Sequence, residues 1–309
     1  MTVRERGREV GGPPPVIPVE MELARPSVSL WRDAWNRLLR NRMAVAGGLF
    51  ILLVAFGALF APWVAPYSYK ETDYANNRIG PKWPEHIMGT DKLGRDVFSR
   101  VIWGGRVSLT VGVVGALTQF VIGLTYGSIS GYLGGRLDNY MMRFVDVMYA
   151  FPTLLFVILI MVVLGPGLVN IFIGIGAVAW MGMARLVRGQ FLSLKQKDFV
   201  EAARMIGAQP LGIISRHLLP NSLGPVIVAL TLGIPGLILT EAVLSFIGLG
   251  VPPPFPSWGQ MVNEGWRGLR AVPHLTVFPG LAITLTMLAF NFVGDGLRDA
   301  LDPMMRGTM

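Results

Sequence analysis

An all-α integral membrane protein with six transmembrane helices is the fold class predicted for this chain of 309 residues. Three observations predict it. Mean hydropathy is +0.52. Charged residues make up 15% of the chain, whereas a soluble domain carries roughly 25%. Several uncharged apolar runs reach the roughly 20 residues that a helix needs to cross a hydrocarbon core of about 30 Å. Cysteine is absent, which removes disulfides, thiolate metal sites and a cysteine nucleophile from consideration. The formal net charge of +8 does not mark a nucleic-acid binder, because the basic residues flank apolar runs and line no face of a soluble domain. No nucleic-acid partner is expected; membrane lipid is.

Residues 1–27 hold Gly11, Gly12 and Pro13 to Pro15 among scattered charges. They have too little apolar surface to offset ordering entropy, so a disordered tail is predicted. Arg4, Arg6 and Arg8 lie too far from the first apolar run, near Met43, for a secretory signal, and an uncleaved first span is expected. From Leu30 to Arg42, Trp31, Trp35, Leu38 and Leu39 recur at helical spacing among Arg32, Arg37 and Arg40, the pattern of a helix lying in the membrane interface. Residues 28–104 thus form one unit with that helix, the first span over 43–64 and an outer loop. Residues 105–309 supply the other five spans. The second covers 107–133. The uncharged run 147–184 is too long for one crossing, and Gly165, Pro166 and Gly167 divide it into a third and a fourth span. The fifth covers 223–247 and the sixth 275–293. Lysine and arginine near the span ends favour the loops on the side of the termini, so both termini are expected in the cytoplasm.

The segment between the fourth and fifth spans has its own architecture. Asp198 followed by Glu201 has the spacing of a capping box. Ala202 and Ala203 extend the helix, and Gly207 suits the left-handed residue that ends it. Pro210 suits the first turn of a second short helix, which Pro220 is expected to stop. The cap chemistry alone fits either a structured loop or a compact knob with a task.

Here a resemblance enters. Glu201, Ala202 and Ala203, then Gly207, then His217, Leu218, Leu219 and Pro220 resemble the EAA loop of ABC importer permeases: Glu-Ala-Ala, three residues, Gly, nine residues and an apolar Leu-Pro ending. On the outer side His86, Gly89, Thr90, Asp91, Gly94, Arg95 and Asp96 are similar to the signature that precedes the second span in C-type subunits of dipeptide, oligopeptide and nickel importers. Thr240, Glu241, Ala242, Leu244, Ser245 and Phe246, followed by Pro256, Ser257, Trp258 and Gly259, carry a third match.

The resemblance implies a type I ABC importer permease fold in a bacterial or archaeal cytoplasmic membrane. It implies a homologous B-type permease as partner, two cytoplasmic ATPase subunits or domains, and an extracytoplasmic solute-binding protein. The loop 198–220 would dock into an ATPase and transmit its closure. ATP and Mg would be bound by those partners, because the chain lacks the Gly, four residues, Gly-Lys-Ser/Thr run that cradles phosphates. No cofactor, metal or catalytic residue is expected in the chain itself. Its three histidines, His86, His217 and His274, offer no pair with metal-ligand spacing on a helix. Di- and oligopeptides are the implied solute, with nickel or another small solute as the alternative. A self-sufficient secondary transporter or channel is the rival from another class, and it would need ion-coupling carboxylates at mid-membrane.

Within the second span Gly115, Gly123, Gly127 and Gly131 fall at multiples of four, with Gln119 between the first two. Such a stripe is read as a helix-packing face. Glu241 is either a cavity-lining group or part of a structural pair, and with Ser245, Phe246 and Trp258 it makes the candidate pathway or gate. Asp146 is read as structural, beside Arg143 one turn away.

Overall fold

The computed structural model describes residues 30–302; the tail expected over 1–27 lies outside them. The described chain is helical, linked by turns and one longer loop. Its elements are α1 Leu30–Arg40, α2 Arg42–Leu59, α3 Val97–Leu133, α4 Gly135–Ala150, α5 Thr153–Leu164, α6 Leu168–Leu194, α7 Asp198–Met205, α8 Pro210–Phe246, α9 Trp258–Trp266 and α10 His274–Leu301. Helices α2, α3, α6, α8 and α10 are long and apolar enough to cross a membrane. The pair α4 and α5, bent by 81° at its break, makes a sixth crossing if counted as one span.

A helix is present where the interfacial one was expected, as α1, and in it Asp33 pairs with Arg37 at 2.7 Å. Trp35 and Leu39 are exposed on it. Asn41 separates it from α2: its side chain accepts hydrogen bonds from the Met43 and Ala44 amides at 3.1 and 3.2 Å. That cap starts the first span in a new direction.

Two boundaries differ from the sequence reading. The second span begins ten residues earlier than expected, because Asp96 caps α3 through the Ser99 amide at 2.7 Å. The helix therefore runs unbroken across residue 104 for 37 residues, about 55 Å, longer than a hydrocarbon core of about 30 Å. The third span is the larger correction. Its apolar part is only the 12 residues of α5, about 18 Å. Phe151 precedes Pro152 and is extended, with φ −91° and ψ 131°, because the proline ring disfavours a helical residue before it. The turn expected at Gly165 to Gly167 is present, with φ of 83° and 156° at the two glycines.

The core lies along the glycine stripe of α3. A Cβ added at Gly123 would stand 2.5 Å from Met183 Cβ, at Gly127 2.5 Å from the Ala184 carbonyl oxygen, and at Gly131 2.7 Å from Phe191 Cβ. Only bare backbone lets α6 come this close, which is how helices associate where lipid removes the hydrophobic driving force. Around this seam α8 packs on α3 and α10, and α2 packs on α10 and α3 from one side. One end of the bundle, the terminal end, carries the start of α2, the finish of α10 and the segment 198–220. The loop 65–96 and α9 close the far end.

Candidate functional site

Segment 198–220 forms two helical pieces. The start of the first differs from the expected capping box. Lys197 is the N-cap and no side chain caps the helix; Asp198 is already its first residue. Asp198 and Glu201 occupy the first turn, where the helix dipole favours negative charge. The end follows the expectation. Gly207 has φ +80°, Ala208 N–H donates to the Ala203 carbonyl and Gly207 N–H to the Arg204 carbonyl, both at 3.0 Å. This is the Schellman arrangement that a glycine in the left-handed region permits.

Pro210 starts α8 as expected, yet Pro220 does not stop it. Residues 214–218 form a π turn in which Leu219 N–H reaches back to the Ile214 carbonyl. The wider turn makes room for the Pro220 ring, which in a regular helix would clash with the carbonyl four residues back. Asn221 Nδ2 then takes up the His217 carbonyl at 2.6 Å. The second piece is thus continuous with the fifth span, and any displacement of it is a displacement of α8.

Val200, Ala203, Ile213 and Leu218 are buried and tie the segment to the bundle. The tip faces outward. Met205, Ile206 and Leu211 are 85, 86 and 77% exposed, and no sequence pattern had singled them out. A groove of about 720 Å³ runs beside them, lined by Phe199, Ala202, Ala203 and His217 among others. The His217 ring stands 6.3 Å from that of Phe199. Glu201 and Ala202 are exposed, Leu219 is half-buried and Pro220 exposed.

The far-end signature residues do come together, in a charge knot. Asp91 Oδ1 accepts from the Leu93 and Arg95 amides at 2.8 and 3.0 Å, and its Oδ2 accepts from Arg95 Nε at 2.7 Å and from Arg100. Glu264 of α9 closes the group, 3.1 Å from Arg95 Nη2 and 2.7 Å from Arg100 Nη1. Asp96 accepts from Ser99 and lies 3.0 Å from His86 Nδ1. Thr90 Oγ1 donates to the Asn76 carbonyl and accepts from the Ile79 amide. Gly89 and Gly94, with φ of 79° and 75°, leave room that a side chain would fill: a Cβ at Gly94 would overlap the Asp73 carbonyl oxygen at 1.7 Å. The Asn76 amide beside the Asp73 carboxyl holds its pKa below the usual carboxylate range. Arg100 and Glu264 belong to none of the motifs that the sequence singled out.

Of the four pathway or gate candidates, three are interior. Glu241 is fully buried; Ser108 Oγ donates to its Oε2 at 2.8 Å and Ser245 Oγ to its Oε1 at 2.6 Å. Trp258 is buried against Gly104 and Gly105, with Nε1 donating to the Val101 carbonyl at 2.9 Å. Phe246 alone reaches the surface, with its ring 6.2 Å from that of Trp266. Asp146 pairs with Arg185 at 2.5 Å instead of Arg143, and buried Asp138 holds Arg188 through two bonds of 2.6 Å.

Residues 123–307 match the model of the binding-protein-dependent transport system inner membrane component, and residues 29–81 match that of the N-terminal transmembrane domain of oligopeptide transport permease C. The chain belongs to the binding-protein-dependent transport system inner membrane component family. Its helical architecture is that of an ABC importer permease, a transport subunit. The dipeptide transport system permease protein DppC of Bacillus subtilis is 48% identical over 284 residues, covering 91% of this chain and 88% of that one. The oligopeptide permease OppC of Haemophilus influenzae is 47% identical, covering 90% of each. The glutathione permease GsiD of Pectobacterium atrosepticum is 44% identical, covering 89% and 92%. In fold, the chain matches an inward-facing structure of the methionine ABC transporter MetNI with a TM-score of 0.56 at 21% identity, covering 65% of this chain and 96% of that one.

Proposed function

We propose that this chain is the C-type permease half of an ATP-driven, binding-protein-dependent importer of di- and oligopeptides. It pairs with a homologous B-type permease, and an external solute-binding protein delivers the solute to the far end. Both termini lie in the cytoplasm. Two ATPase subunits or domains there hold the ATP and Mg, and one of them receives residues 198–220. The relatives transport dipeptides, oligopeptides and glutathione by name, which favours peptides over nickel for this chain.

The observation that carries this reading is the exposed apolar tip on a lever fused to α8. Met205, Ile206 and Leu211 stand in solvent on a segment whose base is buried. Apolar side chains so placed suit a cleft on another protein. The first helix, closed by the turn at Gly207, and the continuous second one give the stiffness that force transmission needs.

The test is reconstitution of the chain with its cognate partners in liposomes. Peptide uptake is expected only with ATP, the ATPases and the binding protein together; uphill uptake by the chain alone would refute the reading. In the same assay Gly207→Val should lower uptake about tenfold while ATP hydrolysis persists, because a β-branched residue is strained at φ +80° by 1–2 kcal/mol, worth about tenfold. Unaltered uptake would take the lever out of the mechanism.

A further inference from the structure

Polar side chains on the exposed faces of the spanning helices divide into two kinds. Thr110, Thr125, Thr240 and Thr284 each donate to a carbonyl four residues back in their own helix. A hydroxyl satisfied in this way tolerates lipid. A primary amide cannot be satisfied so cheaply, since it carries two donors and an acceptor with two lone pairs. Of the span amides that make no hydrogen bond to the described residues, Gln190 on α6 and Asn139 on α4 lie near an end of their helices, whereas Gln119 on α3 and Asn291 on α10 lie near mid-span.

Their positions are related. Gln119 is half-buried and lies against Gly233 of α8, its Oε1 3.1 Å from where a Cβ would stand. Gly294, one turn from Asn291, packs on Leu232 of the same helix. Both amides therefore flank α8 at one level, about midway between Leu219 and Phe246. α2 covers one side of α8 by bridging α10 and α3. At 100° per residue, exposed Asn291 on α10 and exposed Gly236 on α8 point to the other side, which is open. Nothing stands within 4 Å of a Cβ added at Gly236. Asp295 and Arg298 follow on the same exposed face of α10 toward the terminal end, leaving the middle uncharged.

An unpaired carboxamide facing lipid costs several kcal/mol. Side chains of this kind inside a membrane mark a water-filled cavity or a solute path. We infer that Gln119 and Asn291 form part of the wall of the translocation pathway, where their amides hydrogen-bond to the backbone of the passing peptide. The assignment rests on the peptide-importer reading above. Uncharged amides complement the one group that all peptides share, and the bare Gly236 backbone between them leaves room for varied side chains.

The test uses the complete transporter in liposomes, with partners freed of cysteine; this chain contains none of its own. Gly236→Cys and Asn291→Cys should react with a charged, water-soluble thiol reagent at least about tenfold faster than Leu52→Cys on the exposed face of α2, because only a hydrated thiol ionises. The double variant Gln119→Leu and Asn291→Leu should lower dipeptide uptake about tenfold while ATP hydrolysis stimulated by the loaded binding protein is kept. Labelling no faster than at Leu52, or unchanged uptake, overturns the inference. Loss of the partner permease during purification of the double variant also overturns it, by placing the amides at the subunit seam. A complex that takes up no peptide at all, wild type included, would instead sink the proposed function, and the labelling rates still decide the pathway.

Discussion

Two clusters at opposite ends of the bundle, the charge knot and the lever tip, handle polar and apolar groups in opposite ways. At the far end, Asp91, Arg95 and Arg100 are each at most 5% exposed and consume their charges on one another and on Glu264. At the terminal end, Asp198, Glu201 and Arg204 are exposed and form no ion pair among the described residues, and the apolar tip beside them meets solvent. A buried, mutually neutralised knot stiffens the chain that contains it. An open tip is completed by another chain. The knot therefore holds the loop, α9 and the start of α3 as one body, and in the proposed function the open tip is where force is exchanged.

Breaking the knot should produce the largest effect. Arg100→Ala leaves Asp91 and Glu264 sharing one guanidinium, and truncating one partner of a buried ionic group costs about 3–5 kcal/mol. A marked drop in the melting temperature of the purified complex is expected; an unchanged value would mean the knot carries no stability. The smallest stability change belongs to the lever. Ile206→Ser replaces a side chain that is 86% exposed, so folding stability should stay within about 0.5 kcal/mol. Retention of the ATPase chains on purification should fall all the same. If Ile206→Ser lowered the melting temperature as far as Arg100→Ala does, the contrast between the ends would disappear.

What could be read from the sequence follows the same contrast between local and distant causes. Five of the six spans, the turn at Gly165 to Gly167, the left-handed Gly207 and the α3 glycine stripe each follow from a few neighbouring residues, and each is present. The bend before α5 was also locally encoded, in Phe151 and Pro152, but an uninterrupted apolar run masked it. Pro220 misled for a different reason: a π turn over 214–218 relieves the clash, and the sequence gives no sign of that turn. The pairing of Arg100 with Glu264 spans 164 residues and that of Arg188 with Asp138 spans 50. Such pairs are decided by packing, which periodicity does not reveal. The bond from Ser108 to Glu241, which spans 133 residues, has the same origin.

The central claim is that the lever and α8 move as one piece under the pull of a separate ATPase. Spin labels on Met205→Cys paired with Asn221→Cys, and on Met205→Cys paired with Met43→Cys, test it in the liposomal complex. Upon trapping the ATPases closed with nucleotide, the distance from 205 to 221 should stay constant while that from 205 to 43 shifts by several ångströms. A changed distance within the lever, with none between the lever and α2, would contradict the account.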